Sequence, residues 1–225
     1  RCFADFRSDK KNYFYALGAL KNIGYAAISN IVDERESNGK FKSLNDFINR
    51  VNPKDINKLQ LEGLVKSGAF DTINSNRQSL FNSIPSIILK SKNNFDNKSI
   101  NQIVLFDAGQ DNSDNILEKI NDWSFEERLS KEFGALGFFI SDHPLNQFKN
   151  IYGEYKIIDF IDFNNTKEIA ETNIAATVLK TQEKKTQKGN SYAIVKFSDL
   201  SSVFELFIFS SIFEMNLFRS SRMKC

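Results

Sequence analysis

Tyr15-Ala16-Leu17-Gly18-Ala19-Leu20-Lys21-Asn22-Ile23-Gly24-Tyr25-Ala26-Ala27-Ile28 reads as an apolar helix, a four-residue turn and a second helix that starts at a glycine. In such a hairpin Gly24 lets the backbone turn tightly, and the unpaired N–H groups opening the next helix face outward as a seat for one phosphate. A phosphate held through main chain carries no base information. The turn therefore points to a protein that grips nucleic acid by its sugar-phosphate edge. Lys21, Asn22, Ile23 and Gly24 are the contact residues, and Lys21 supplies the charge. A helical hairpin buried in an all-α core has the same local pattern, and the turn alone does not separate the two.

Outward from the turn the helical pattern repeats. Ile28, Ile31, Val32 and Arg35 keep helical spacing, with Gly39 as a stop. Ser43 with Asp46 opens a helix in the manner of a capping box; Leu44, Phe47, Ile48 and Val51 fall on one face, and Pro53 ends it. After the turn at 52–57, Leu61, Leu64 and Val65 mark another helix, closed by Gly68. Two helix-turn-helix pairs within about seventy residues are the plan of a tandem helix-hairpin-helix unit. Asn22 and Ile28 stand where many such motifs carry glycine and alanine, and the second turn has no glycine, which makes it architectural. A helix with Leu80, Phe81, Ile84 and Ile88 follows Arg77, kinked or ended by Pro85.

From Lys90 to Asp122 the chain has linker composition, rich in Asn, Asp, Ser and Lys, with one apolar island at 102–106. Helical order returns at Ser124, which with Glu127 makes a capping box; Leu129, Phe133 and Leu136 carry the apolar face until Asp142-His143-Pro144 breaks it. Beyond Tyr155 the period changes to two. Residues 173–179, 192–197 and 203–209 read as strands, with 180–190 as a long polar loop.

Composition narrows the function classes. The 225 residues are 41% hydrophobic, enough for ordinary cores, and 30 Lys+Arg against 28 Asp+Glu leave a net charge of +2. Any nucleic-acid surface must then be local. The two cysteines, Cys2 and Cys225, have no metal-ligand spacing and fit a reducing cytosol. No apolar run of about 18 residues could span a membrane, and the N-terminus lacks the plan of a signal peptide. The expectation is a cytoplasmic protein without a membrane partner. The abrupt beginning and end suggest a fragment. His143 is the only histidine, so a histidine metal cluster cannot form; a helix-ending turn is its expected role. Asp111 and Asp114 lie in the linker, and Asp159 and Asp162 in a short apolar run. Neither pair has the setting of a two-metal nucleotidyl-transfer site. No catalytic and no metal-ligating residue is expected.

The ordered strings Leu17-Gly-Ala-Leu-Lys-Asn-Ile-Gly24, Phe41-Lys-Ser-Leu-Asn-Asp-Phe47, Leu64-Val-Lys-Ser-Gly-Ala-Phe-Asp71, Asn76-Arg77 and Leu136-Gly-Phe-Phe-Ile-Ser-Asp-His-Pro-Leu145 resemble the C-terminal half of the bacterial DNA polymerase III alpha subunit family. The resemblance covers essentially the whole chain. It implies an α+β fold, a tandem helix-hairpin-helix α domain followed by a truncated OB-fold β-barrel. The domains would be 1–90 (hairpins), 91–122 (linker), 123–154 (helical connector) and 155–225 (incomplete OB fold).

The island resembles the peptide by which bacterial polymerases bind the sliding clamp: Leu105 and Phe106 would fill an apolar groove while Gln102 hydrogen-bonds at its edge. The alternative is an apolar run that packs back on its own domain. In the OB module Ala193, Val195, Phe197, Phe204, Leu206 and Ile208 would point inward. Tyr192, Lys196, Glu205, Phe207 and Phe209 would point out, and Lys184, Lys185 and Lys188 would ride on the loop. Tyr192 and Lys196 could stack a base and neutralise its phosphate; an ordinary barrel exterior with a solvated loop is the equal alternative.

The resemblance implies duplex DNA, single-stranded template, the sliding clamp and other holoenzyme subunits as partners. Catalytic aspartates and a divalent metal, Mg, would belong to the rest of the parent, with no cofactor in this stretch. A freestanding DNA-binding adaptor and the error-prone paralogue of the same family are the alternatives.

Overall fold

A computed structural model describes residues 2–99, 116–166 and 171–209. The chain divides into two units, Arg1–Ser141 and Asp142–Cys225. Among the described residues no helix is long and apolar enough to cross a membrane.

Unit 1 begins with a short antiparallel pair, β1 (Arg7–Ser8) and β2 (Tyr13–Phe14). The helices are α1 (Tyr25–Asn38), α2 (Leu44–Arg50), α3 (Lys58–Lys66), α4 (Arg77–Asn82), α5 (Ile84–Ser99) and α6 (Phe125–Leu136). Their apolar stripes meet in one core: Ile28, Ile31 and Val32 of α1, Phe47 and Ile48 of α2, Leu61, Leu64 and Val65 of α3, then Leu80, Ile84, Ile87 and Trp123. Side chains close most helix starts. Ser43, Asn57, Asn76 and Ser124 each accept a main-chain N–H of the first turn. Gly39, at φ +82, follows the end of α1 as its sequence pattern predicts.

Three sequence expectations change in this unit. The apolar stretch 15–20 forms only a one-turn 3-10 helix, Leu17–Ala19, because its backbone pairs instead with the N-terminus: Ala16 bridges Phe3, and the Leu17 and Gly18 amides donate to the Phe3 and Ala4 carbonyls. A Cβ on Gly18 would lie 2.8 Å from both the Ala4 oxygen and the Tyr25 ring, so this close approach requires glycine.

The polar stretch expected as a linker from residue 91 is helical to Ser99, with Asn94 donating to Asn49 of α2. Where description resumes, the Glu118 and Ile120 carbonyls accept from the Ser79 hydroxyl and the Asn76 amide, and Asp122 accepts from the Gln78 N–H. Finally, the stretch 123–154 is not a separate connector: α6 buries Leu129, Glu132, Ala135 and Leu136 within unit 1, and the division falls after Ser141.

Unit 2 holds a 3-10 helix, Pro144–Ile151, the short α7 (Phe160–Asn165) and an antiparallel sheet. Its strands are β3 (Thr177–Lys185), β4 (Ser191–Ser198) and β5 (Val203–Phe209), in that order. Ala193, Val195 and Ile208 form its buried core, with Phe197 against it. Leu206 shares that inner face but is 43% exposed, and among the described residues the sheet does not close into a barrel. The predicted loop 180–190 is mostly strand. Lys180 to Lys185 pair with Lys196 to Ser191, and only 186–190 turn, with Gly189 at φ +84. A polar run took the extended conformation because β4 offered it a ladder, which composition does not reveal.

His143 starts a helix rather than ending one. Its Nδ1 accepts the Leu145 N–H at 3.2 Å, which leaves the proton on Nε2 to face the Ser198 hydroxyl at 3.0 Å. Burial holds its pKa below the ordinary imidazole value of 6.5, against the opposing pull of Asp199 and Asp142. A depressed base is neutral in the fold, so its contribution is complete at high pH and declines as pH falls below the unfolded value. Hydrogen-exchange protection of the β4 amides should therefore drop between pH 7.5 and 5.5. His143→Asn keeps a capping acceptor and should flatten that dependence.

Candidate nucleic-acid interface

The turn of the first hairpin is made by Asn22, not by Gly24. Asn22 has φ +63, the left-handed conformation that asparagine tolerates better than most side chains, whereas Gly24 is extended at φ −77, ψ 122. Gly24 acts instead as the N-cap of α1. It carries no side chain to accept the amides of the first helical turn, and that turn contains no acidic residue. Gly24, Tyr25 and Ala26 are exposed, so the donors an α-helix leaves unpaired open to solvent. Lys21 and Asn22 are exposed beside them.

Two contacts hold this turn in place. The Lys21 amide donates to the Ala135 carbonyl of α6 at 3.2 Å. Ile23 is half-buried against Gly63 of α3, where an added Cβ would come within 2.9 Å of its Cδ1. Ile23 thus packs as the peg that fixes the turn on α3. Carboxylates lie near as well: the Tyr25 hydroxyl donates to Asp5 at 2.6 Å, and that bond, with burial and the charges of Asp5 and Asp33, raises the phenol's pKa.

The second hairpin has the opposite chemistry. Asn52 caps the 3-10 turn Pro53–Asp55. Asn57 and Gln60 close a reciprocal capping box, each side chain taking the other's main-chain N–H. Its donors are consumed by its own side chains, whereas those of α1 are left open.

In unit 2 the register sorts the expected residues. Across the outer face run three rows: Lys180, Lys196 and Glu205; Gln182, Ile194 and Phe207; Lys184, Tyr192 and Phe209. Tyr192 stacks with Phe207 and Phe209 at centroid distances of 6.4 and 6.0 Å, and both phenylalanines are more than half exposed. Lys196 sits directly across from Glu205. Lys185, opposite Ser191, belongs to the other face, and Lys188 lies in the turn. The sheet brings Lys184, Tyr192 and Lys196 together with two aromatics that period-two alternation had already turned outward. Gln102, Leu105 and Phe106 lie outside the described residues.

Among the described residues no group of three or more His, Cys, Asp or Glu side chains is arranged to hold a metal ion. Asp159 precedes α7, its pKa raised by burial and by the nearby Asp199 and Asp162.

Residues 1–80 match the family described as a helix-hairpin-helix motif. The chain is 31% identical over 222 residues to the DNA polymerase III subunit alpha of Borreliella burgdorferi, an alignment covering 95% of this chain and 19% of that protein. The subunit alpha of Rickettsia conorii is 35% identical over 199 residues, 87% of this chain and 17% of the relative. That of Caulobacter vibrioides is 29% identical over 208 residues, 92% and 18% respectively. The chain spans about a fifth of the length of these curated relatives.

Proposed function

Because this chain belongs to the DNA polymerase III alpha subunit family, we propose that it serves DNA replication by gripping and positioning DNA beside a catalytic centre carried by other parts of such a protein. The observation that carries this reading is the uncapped start of α1. Exposed amides at Gly24–Ala26 and the charge of Lys21 can take one backbone phosphate, in a segment that matches a helix-hairpin-helix family. Main-chain donors cannot read bases, so the grip is sequence-independent and salt-sensitive.

Replacing Lys21 by Gln should weaken duplex binding equally for two unrelated sequences and lower the slope of log affinity against log salt by about 0.9, the value for one lost phosphate contact. An unchanged slope would refute the hairpin assignment. Fluorescence anisotropy of labelled duplexes from 50 to 200 mM salt makes the measurement.

The outer face of the sheet supports a second role for the same chain, in single-strand contact. Tyr192, Phe207 and Phe209 offer a stacking platform edged by Lys184. Gln102, Leu105 and Phe106 are the proposed sliding-clamp contact, which would multiply weak DNA binding through effective concentration. Mg at the polymerase centre, the other holoenzyme subunits and a cytoplasmic setting belong to the same proposal.

A further inference from the structure

Beside the hairpin turn lies an open cleft of about 270 Å³ between the turn, α3 and α6, with Lys21, Asn22, Glu62, Lys66, Lys131 and Gly134 on its walls. Helix α6 lies outside the matched residues 1–80, so this wall is not part of the hairpin motif. Two of the lysines share the Phe81 ring, and one of them also meets Trp123. Lys66 Nζ stands 5.0 Å from the Phe81 centroid, and Lys131 Nζ stands 4.7 Å from that of Trp123 and 5.7 Å from that of Phe81. The rings themselves meet edge to face at 5.5 Å. Both ammonium groups are therefore brought to one place, at less entropic cost on binding than free surface lysines would incur.

Carboxylates face them too. Lys66 pairs with Glu62 at 3.1 Å and Lys131 with Glu127 at 3.2 Å. These are partly exposed i,i+4 pairs, weak enough to yield to a phosphate. With Lys21, three lysines face two carboxylates, and the cleft stays cationic. Gly134 leaves its wall low, since a Cβ there would meet nothing within 4 Å. The Lys21–Ala135 main-chain bond joins cleft and turn.

We propose that this cleft is a second backbone-phosphate subsite, in which Lys66 and Lys131 take the phosphodiester adjacent to the one held at the turn. The inference rests on the duplex-binding reading above and extends it to α6. The test is duplex affinity of the full chain between 50 and 200 mM salt for Lys66→Gln, Lys131→Gln, Lys131→Arg and Lys21→Gln, each checked for an unaltered melting transition.

Each phosphate contact makes affinity fall about three- to fourfold over that range. The two Gln variants should each lose that much of the wild-type salt dependence, and Lys131→Arg should retain it. If Lys21→Gln flattens the dependence while Lys66→Gln and Lys131→Gln do not, the cleft assignment is overturned and the hairpin grip survives. If no variant changes it, both fall.

Discussion

The Gly24→Asp variant should melt at a slightly higher temperature than wild type and bind duplex DNA on the order of tenfold or more weakly. Gly24 already has the extended backbone of an N-cap, at φ −77 and ψ 122, and an added Cβ would meet only the end of the Gln60 side chain, at 3.4 Å. An aspartate fits there. Its carboxylate would accept the open amides of α1 and sit favourably at the positive end of the helix, worth about a few tenths to 1 kcal/mol. The same carboxylate would fill the proposed phosphate seat with negative charge and repel the DNA strand. Stability and binding then move in opposite directions, which simple damage to the fold cannot produce. Differential scanning calorimetry and anisotropy titration on one preparation decide it; unchanged duplex affinity would place the grip elsewhere.

Replacing Arg77 by Met should destabilise unit 1 by about 3–5 kcal/mol, because it leaves buried carboxylate without its cation. Arg77 is 2% exposed and Glu132 is fully buried. The guanidinium reaches Asp71 at 2.7 and 2.8 Å, Glu132 at 3.2 Å and the Lys66 carbonyl at 3.1 Å. Glu132 also accepts the Ile140 and Ser141 amides at 2.8 Å and the Ser141 hydroxyl, so one network ties α3, α4, α6 and the chain after α6. Gly68, at φ +80, lies against the guanidinium, where a Cβ would collide with it.

Burial pushes the Glu132 carboxyl up. The Ser141 and Ile140 hydrogen bonds and Arg77 outweigh that and hold it below its ordinary value. A depressed acid contributes its full stability above the unfolded value and loses it as the pH falls toward the folded one, so unit 1 should also weaken in acid. Trp123, the single tryptophan and part of this core, reports the urea transition of unit 1. A midpoint shift equivalent to less than about 1 kcal/mol would show the network to be dispensable.

Much of the architecture was legible from residues alone because it is decided within a few positions of chain. Ser43 and Ser124 cap the helices their spacing announced, Gly39 follows the helix it was expected to stop, and period-two alternation put Tyr192 and Phe207 on one face and Val195 on the other. The candidate site was legible in part: Lys21 and Gly24 are exposed at the turn, but Ile23 is its packing peg and Asn22 its conformational pivot. Propensity could not show that residues 16–18 would bond to Phe3 and Ala4, since that competes with a helix only once both segments are together.

Sequence by itself settled the hairpin plan, the strands β4 and β5 and the kinship with the polymerase alpha subunits, because caps, periodicity and ordered strings are local or linear features. Tertiary structure alone decided that α6 joins the hairpin unit, that Arg77 and Glu132 meet 55 residues apart, and that Lys21, Lys66 and Lys131 share a cleft. Those outcomes depend on which buried groups find partners across the fold, and such pairing has no signature along the chain.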